Sequence, residues 1–230
     1  MREESISYLE KNRLLHIAML EAIRRNSAEI LDGSEKGVLL LDKSSNVHML
    51  SAVNLTEGLR LLDEIDSCYQ LVICQEVLLP YAEEKFQLHD IFRCKKVAYF
   101  SKEKLPFHSE LEIINPSEEA LKKIKENYHT IPEAEIDEIN RRGNLFAAFF
   151  EGEFVGFSGN HLDGSLGLLE ILPPYRGRGF GEQLERYMVN CILDRGDIPY
   201  GEIVIGNEIS ARLQKKLGFE TSKETISWLL

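Results

Sequence analysis

The segment RGRGFG, residues 176–181, places two arginines among three glycines directly ahead of an amphipathic helical pattern. Glycines let a ligand approach the backbone closely, and the free N–H groups at the start of a helix favour negative charge. Guanidinium groups beside them would add charge-assisted donors. The segment therefore predicts a cradle for a di- or triphosphate-bearing ligand. The alternative is that Gly177, Gly179 and Gly181 only make a tight strand-to-helix turn.

Two familiar phosphate-binding loops fit this segment poorly. The P-loop requires Gly-Lys followed by Ser or Thr, which the chain lacks. A dinucleotide GxGxxG motif read from Gly177 has Glu182 in place of its third glycine. The segment also follows a predicted antiparallel meander rather than an opening βαβ unit. Neither loop therefore explains the glycines.

The elements around the segment form two runs of similar order. Apolar spacing predicts one helix over residues 2–25, then three strands, a helix, a strand, a helix and a strand. From about residue 110 the pattern gives a strand, two helices, three strands, the helix after RGRGFG, a strand, a helix and a terminal hairpin. This likeness is either a degenerate repeat or a coincidence. Around Pro106 we predict a boundary between an α/β domain of residues 1–108 and a second domain of residues 109–230.

Composition limits the classes of function. With 43% hydrophobic and 28% charged residues the chain is typical of a globular protein, and its net charge of -11 argues against nucleic acid and anionic membranes as partners. No membrane span or secretory signal is evident, so we expect a cytoplasmic protein. The four cysteines follow no metal-ligand or redox spacing, which predicts reduced thiols and no metal site.

The residues around RGRGFG resemble the GNAT superfamily of acyl-coenzyme A dependent N-acyltransferases. The family signature of Arg or Gln, two residues, Gly, one residue, then Gly or Ala is matched by Arg176, Gly179 and Gly181. The preceding ILPPYR matches the apolar-x-Pro-x-Tyr-Arg end of the family's fourth strand. The resemblance implies an α/β (α+β) fold with a mixed, mostly antiparallel, twisted sheet flanked by helices.

A second match lies downstream, where NEISARLQKKLGF is similar to a family segment that begins with Asn and ends with Gly-Phe. The resemblance covers about residues 110–230, and HLDGSLGLLEILPPYRGRG is similar to the branch that contains glycine N-acyltransferases. On this reading the first domain is smaller, and it is a degenerate GNAT-like half if the likeness between the two runs of elements is a repeat and not a coincidence. It has no counterpart of RGRGFG, so we expect no coenzyme site there, and its task is to wall off an acceptor pocket or to form a dimer contact.

The resemblance implies acetyl-CoA, or another acyl-CoA, as co-substrate. Backbone N–H groups of residues 177–181, including Phe180 and Gly181, would hold the coenzyme A pyrophosphate with help from Arg176 and Arg178. The backbone of Ile171 and Leu172 would contact the pantetheine arm and the thioester, and Asn207 opens the second family segment. Asn207 is also a natural helix N-cap, and the two roles are compatible.

Direct attack of an amine on the thioester needs a base, because an amine near neutral pH is mostly ammonium. Glu170 lies in the apolar run LGLLEIL, where burial would raise its pKa; the alternative is a strand carboxylate that faces water. His161 is a second candidate base, whereas Asp163 before a glycine is most simply a turn residue. Gln214 stands where the family often has a tyrosine acid, which keeps a non-catalytic acyl-CoA binding or sensing module as the rival.

The predicted acceptor is a small-molecule amine or amino acid. After residue 109 the chain has 21 acidic and 13 basic residues, a field that suits a cationic acceptor. Glu135 or Asp137, in the region of the family's acceptor-binding helices, would meet the amine. The alternative, which the pattern favours, is that Thr130 and Glu133 form a capping box and that these acids complement the helix dipole.

Overall fold

The computed structural model describes all of residues 1–230. By their contacts the residues form two compact units, which we call the terminal unit (Met1–Tyr99 with Tyr200–Leu230) and the central unit (Phe100–Pro199). The fold is mixed α/β with mostly antiparallel strands and flanking helices, which confirms the predicted fold class. Among the helices, none combines the length and the hydropathy that a membrane crossing requires.

The terminal unit combines strands from both ends of the chain. Its helices are α1 (Arg2–Glu10), α2 (Ile17–Arg24), α3 (Leu55–Asp63), α4 (Leu79–Phe86) and α8 (Glu208–Leu217). Its strands are β1 (Ala28–Ser34), β2 (Gly37–Asp42), β3 (Val47–Ala52), β4 (Leu71–Ile73), β5 (Ile91–Ala98), β10 (Tyr200–Val204), β11 (Glu220–Thr221) and β12 (Ile226–Leu229). They lie in the order β1-β2-β3-β4-β12-β5-β10, and only β3 and β4 are parallel.

Strand β5 lies between β12 and β10, so it joins the early part of the chain to its last residues. On one face of these strands the buried ammonium group of Lys96 pairs with Glu202, which stands directly opposite it in the register. The indole N–H of Trp228, on β12, donates to the same carboxylate. A buried charge is costly without a partner, and the register of β10 against β5 gives both Lys96 and Glu202 an oppositely charged partner.

The central unit is a four-stranded antiparallel sheet with helices on both faces. Its helices are α5 (Glu118–Asn127), α6 (Glu133–Arg141) and α7 (Phe180–Asp194), and its strands, in the order β9-β8-β7-β6, are β6 (Glu112–Ile114), β7 (Leu145–Phe150), β8 (Glu153–Asn160) and β9 (Leu166–Ile171). Helices α5 and α6 pack with Phe157 and Leu168 on one face. Helix α7 packs with Val155 on the other.

Two predicted elements differ from the structure. The helix expected over residues 2–25 is divided into α1 and α2, because the ring of the buried His16 bonds to the Leu9 carbonyl at 2.8 Å and the intervening residues turn. The expected terminal hairpin is also wrong. Strands β11 and β12 do not pair with each other; both pair with β5, whose backbone groups they satisfy along one edge.

The predicted capping box at the start of α6 is wrong. The residue before the helix is Pro132, no side chain caps the first turn, and Glu133 is the first helical residue. Proline already fixes a backbone angle suited to a helix start. The division into residues 1–108 and 109–230 concerns which parts fold on their own, and it stays a prediction; by contacts, residues 200–230 group with residues 1–99.

Candidate functional site

The turn between β9 and α7 presents open backbone. Two prolines begin a single 3-10 turn over Pro173–Tyr175, and the chain then passes through Gly177 and Gly179 with φ of 77° and 80°. A Cβ added at either glycine would meet nothing within 4 Å. Glycine is therefore favoured there by backbone conformation, and the space beside both residues is free. Helix α7 begins at Phe180 without a side-chain cap, so its first N–H groups face that space.

Arg178 is held beside this turn by aromatic rings. Its guanidinium carbon lies 4.4 Å from the ring centroid of Phe150 and 4.8 Å from that of Phe180. Such contacts orient a guanidinium while its N–H groups remain able to donate at the edges. The site thus combines a positive side chain of fixed position with the positive end of a helix.

A groove of about 570 Å³ continues from the turn along α7. It is lined by Pro106, Phe107, His108, Gly179, Glu182, Gln183 and Arg186. The carboxylate of Glu182 accepts two hydrogen bonds from Arg186, at 3.1 and 2.9 Å, so its negative charge in the first helical turn is offset. The groove is therefore compatible with an anionic ligand at the helix start.

Strand β9 contains a β-bulge just before the turn. Its pairing with β8 shifts between Phe157 and Gly159, and Leu168 has a positive φ of 52°, which is unusual for a non-glycine residue. After the bulge, Ile171 packs with α7 and Glu170 points to the opposite face, where Tyr128 lies. The bulge thus sets which side chains of β9 face each group of helices.

The structure brings together two predicted residues, Glu170 and Arg176. The Arg176 guanidinium contacts the Glu170 carboxylate at 2.6 Å and donates from Nε to the Ile171 carbonyl at 2.8 Å. The N–H of Leu172 donates to the carbonyl of Val155 at 2.9 Å. Backbone groups of both residues expected to contact the thioester therefore have partners within the protein.

His161 lies directly against β9. A Cβ added at Gly167 would fall 2.2 Å from His161 Nε2, so the glycine makes room for the imidazole. The interpretation of Asp163 as a turn residue is confirmed, because its carboxylate accepts hydrogen bonds from the N–H and the hydroxyl of Ser165. His161 is half-buried. Because its charge acts on Glu135 of α6, His161 lies at the side of β9 where α6 packs.

The sequence analysis missed Tyr128, and for Glu135 it favoured a role in complementing the helix dipole over a role in binding the acceptor. Burial raises the pKa of the Tyr128 phenol, and the neighbouring Thr130 side chain and Leu168 backbone lower it. Burial also raises the pKa of Glu135; the neighbouring His161 lowers it and Asp163 raises it. No local motif marks either residue, because the fold alone brings the helices and β9 together. The acid-rich sequence of α6 was the available signal.

Asn207 and Gln214, which the sequence places in the second family segment, lie in the terminal unit. Asn207 is the N-cap of α8, and its side-chain oxygen accepts from the Ser210 N–H at 3.1 Å, which confirms the capping role. Gln214 is buried on the same helix. No three His, Cys, Asp or Glu side chains come together as a metal site would require.

Comparison with known proteins agrees with this geometry. The model of a family described as FR47-like protein matches residues 152–229, which contain β8, β9, the glycine turn and α8. No curated protein matches the chain significantly.

Solved structures resemble most of the chain. A GNAT-family protein from Novosphingobium aromaticivorans has a TM-score of 0.60 at 13% identity, over 92% of this chain and 93% of that one. A GCN5-related N-acetyltransferase-like protein from Streptococcus suis has a TM-score of 0.54 at 14% identity, over 98% and 100%. A Drosophila protein has a TM-score of 0.66 at 16% identity, over 84% and 73%. At these identities the likeness shows the fold, which is that of GNAT acetyltransferases.

Proposed function

We propose that the chain is an N-acyltransferase that transfers an acetyl group, or another acyl group, from acyl-CoA to a primary amine. The observation that carries this proposal is the turn between β9 and α7. Its two glycines with positive φ, the uncapped helix start and the ring-held Arg178 together suit a pyrophosphate. This cradle occurs in a chain with the GNAT fold, at the place where the sequence resembles that family.

In this proposal the backbone N–H groups of residues 177–181 bind the coenzyme A pyrophosphate, and Arg176 and Arg178 add donors. The backbone of Ile171 and Leu172 contacts the pantetheine arm and thioester, and Asn207 contributes to coenzyme binding. The groove beside Gly179 takes the nucleotide end, because its arginine, histidine and phenylalanine offer charge and ring surfaces.

The chemistry is direct attack. A neutral amine adds to the thioester carbon, N–H donors stabilise the tetrahedral oxyanion, and coenzyme A leaves as thiolate. Glu170 and His161 are the proposed bases that take the amine's proton. Arg176 donates a hydrogen bond to the Glu170 carboxylate in this structure, so Glu170 becomes a usable base only when that hydrogen bond breaks. The small-molecule acceptor, cytoplasmic location and dimer contact remain part of the proposal.

A non-catalytic acyl-CoA binding module is the second candidate. Two observations favour it: Glu170 is already paired with Arg176, and Gln214, which has no titrating proton, occupies the family's tyrosine position. A sensing module would use the same cradle without needing a free base or an acid.

Titration calorimetry with acetyl-CoA, combined with thiol release in the presence of primary amines and amino acids, separates these candidates. Micromolar binding with amine-dependent thiol release supports the enzyme. Binding without release across the panel supports the sensing module. Absence of binding overturns the assignment of the glycine turn as a coenzyme site.

A further inference from the structure

Glu135 differs from the other carboxylates of α6. Within that helix, Asp137 pairs with Lys125 at 2.6 Å, Glu133 lies 3.9 Å from the same lysine, and Glu138 pairs with two arginines at 2.6 and 2.8 Å. Glu135 makes no ion pair with Lys or Arg. It is also half-buried, on the first turn of the helix, whereas Glu133 and Asp137 are exposed. The charge of Glu135 is offset by the neighbouring His161 imidazole and by the helix dipole, and no Lys or Arg occupies it, so it can accept a further cationic group.

The groups around Glu135 place it beside β9. His161 and Asp163, at the turn that precedes β9, are close enough to influence its charge, and Glu135 in turn influences the phenol of Tyr128. Tyr128 lies beside the backbone of Leu168, two residues before Glu170 in the strand, and packs in the same core as Leu168. Glu135 therefore lies on the face of the central sheet opposite α7. If coenzyme A binds against α7, this opposite face is the one available to the acceptor.

The basic residues of α5 and α6 already form ion pairs with carboxylates of the same helices. Lys122, Lys123, Lys125, Arg141 and Arg142 each have a carboxylate partner on these helices. Arg176, near Glu170, is paired as well. This region therefore offers a carboxylate without a Lys or Arg partner, and no Lys or Arg without a carboxylate. A substrate carboxylate next to the amine would find repulsion from Glu135 and Asp163 instead of a partner.

We infer that Glu135 binds the ammonium group of the acceptor, and that the acceptor is a primary amine with no carboxylate on the carbon beside its nitrogen. This inference rests on the proposed acyltransferase function. Glu135 is a specificity-determining residue in it, and the proton still passes to the base of the proposed mechanism. The half-buried position strengthens a contact between carboxylate and ammonium, because solvent screens it less.

Matched pairs of amines and amino acids test the inference. Thiol release from acetyl-CoA is measured with tyramine and tyrosine, histamine and histidine, and agmatine and arginine, for the wild-type chain and for Glu135→Gln. The wild type should prefer each amine by about tenfold or more in kcat/KM. Glu135→Gln should lose about ten- to a hundredfold on the amines, mainly in KM, and the amine-to-amino-acid ratio should fall towards one.

The control variant is Glu133→Gln, which removes an equal charge from the exposed start of the same helix and should keep both the rate and the ratio. Coenzyme A affinity of Glu135→Gln, measured by calorimetry, should equal that of the wild type. An unchanged ratio in Glu135→Gln, or a wild-type preference for the amino acids, overturns the inference but leaves the acyltransferase in place. Absence of thiol release with every wild-type pair overturns both.

Discussion

The guanidinium of Arg176 contacts the carboxylate of Glu170 at 2.6 Å, which joins a proposed phosphate-binding residue to a proposed base. The two residues lie on either side of the 3-10 turn that ends β9. Both are partly exposed, with 59% and 31% of their side chains accessible, so the contact is weak enough for a bound phosphate to replace it. In the proposed function, coenzyme binding and the release of the Glu170 carboxylate are therefore coupled.

This coupling predicts the behaviour of Glu170→Gln. Loss of the carboxylate releases Arg176, so acetyl-CoA affinity should rise by up to about fivefold, the scale of an exposed ion pair. Turnover should fall, because the variant lacks the proposed base. Calorimetry and thiol release measure the two effects separately. Glu153→Gln, at the exposed start of β8, is the control of equal charge and should change neither. Weaker coenzyme binding by Glu170→Gln would show instead that Glu170 orients Arg176 for the phosphate.

Two glycines at opposite ends of α7 allow a matched test of the cradle. Gly179 precedes the helix and Gly196 follows it, with φ of 80° and 77°, and neither has an atom within 4 Å of an added Cβ. Alanine at each position should cost about 1–2 kcal/mol of unfolding free energy, because the left-handed conformation is strained for other residues. Only Gly179→Ala should also weaken acetyl-CoA binding, by about tenfold or more.

Calorimetry and urea unfolding of both variants measure these effects. Equal loss of coenzyme affinity in Gly179→Ala and Gly196→Ala would mean that the helix, and not the open space at its start, determines binding.

Local patterns in the sequence predicted the elements that carry the cradle. The helix after RGRGFG, the cap Asn207, and the three strands before the turn follow from glycine conformation, capping and alternation. Each of these signals acts over a few residues. The fold class followed from the same elements and from the family resemblance.

Long-range relationships were not predictable in the same way. Nothing in the local sequence marks the bulge at Leu168, since leucine rarely adopts a positive φ. The neighbours of Glu135 are Tyr128 and the turn that contains His161 and Asp163, which are two segments distant from each other in the sequence. Strands β11 and β12 were expected to pair with each other because they are close in sequence. Their pairing with β5 depends on a segment that lies more than a hundred residues away.

The buried pair of Lys96 and Glu202 gives a prediction about stability. Lys96→Met leaves the Glu202 carboxylate without its cation, which should lower the free energy of unfolding by about 3–5 kcal/mol. Replacing both residues, in Lys96→Met with Glu202→Leu, should recover most of that loss. Lys95→Met is the control, because its side chain lies on the other face of β5. Urea unfolding measures all three. A double variant no more stable than Lys96→Met would show that the ion pair itself is needed.

A fragment of residues 109–230 tests the predicted domain division. In the whole chain β10 and β12 pair with β5, and β12 also pairs with β4, so the fragment lacks these partners. The predicted division requires the fragment to fold although these strand edges are unpaired; a fragment that is unfolded or aggregated would overturn it. Circular dichroism and thermal unfolding test this. A cooperative transition in the soluble fragment would establish residues 109–230 as a domain that folds on its own.

Histidine titration should make the stability depend on pH. His16 is buried, with its ring bonded to Leu9 and to the hydroxyl of Ser51 at 2.8 Å each, and burial lowers its pKa. Burial also lowers the pKa of His48. In the unfolded chain a histidine binds its proton near pH 6.5, whereas in the folded chain these two bind it only at lower pH. The unfolded state therefore takes up more protons, and the free energy of unfolding should fall as the pH drops below about 6.5.

The variant His16→Gln isolates one of these groups. Glutamine keeps a donor and an acceptor but does not titrate, so the pH slope of the unfolding free energy between pH 7.5 and 5 should decrease by up to about 1.4 kcal/mol per pH unit. The absolute stability will also change, because Tyr8 and Ser51 share the same hydrogen-bond network. For that reason the slope is compared and not the midpoint at one pH. If His16→Gln keeps the wild-type slope, His16 takes up its proton at the same pH in the folded and the unfolded protein, and its burial does not control the titration.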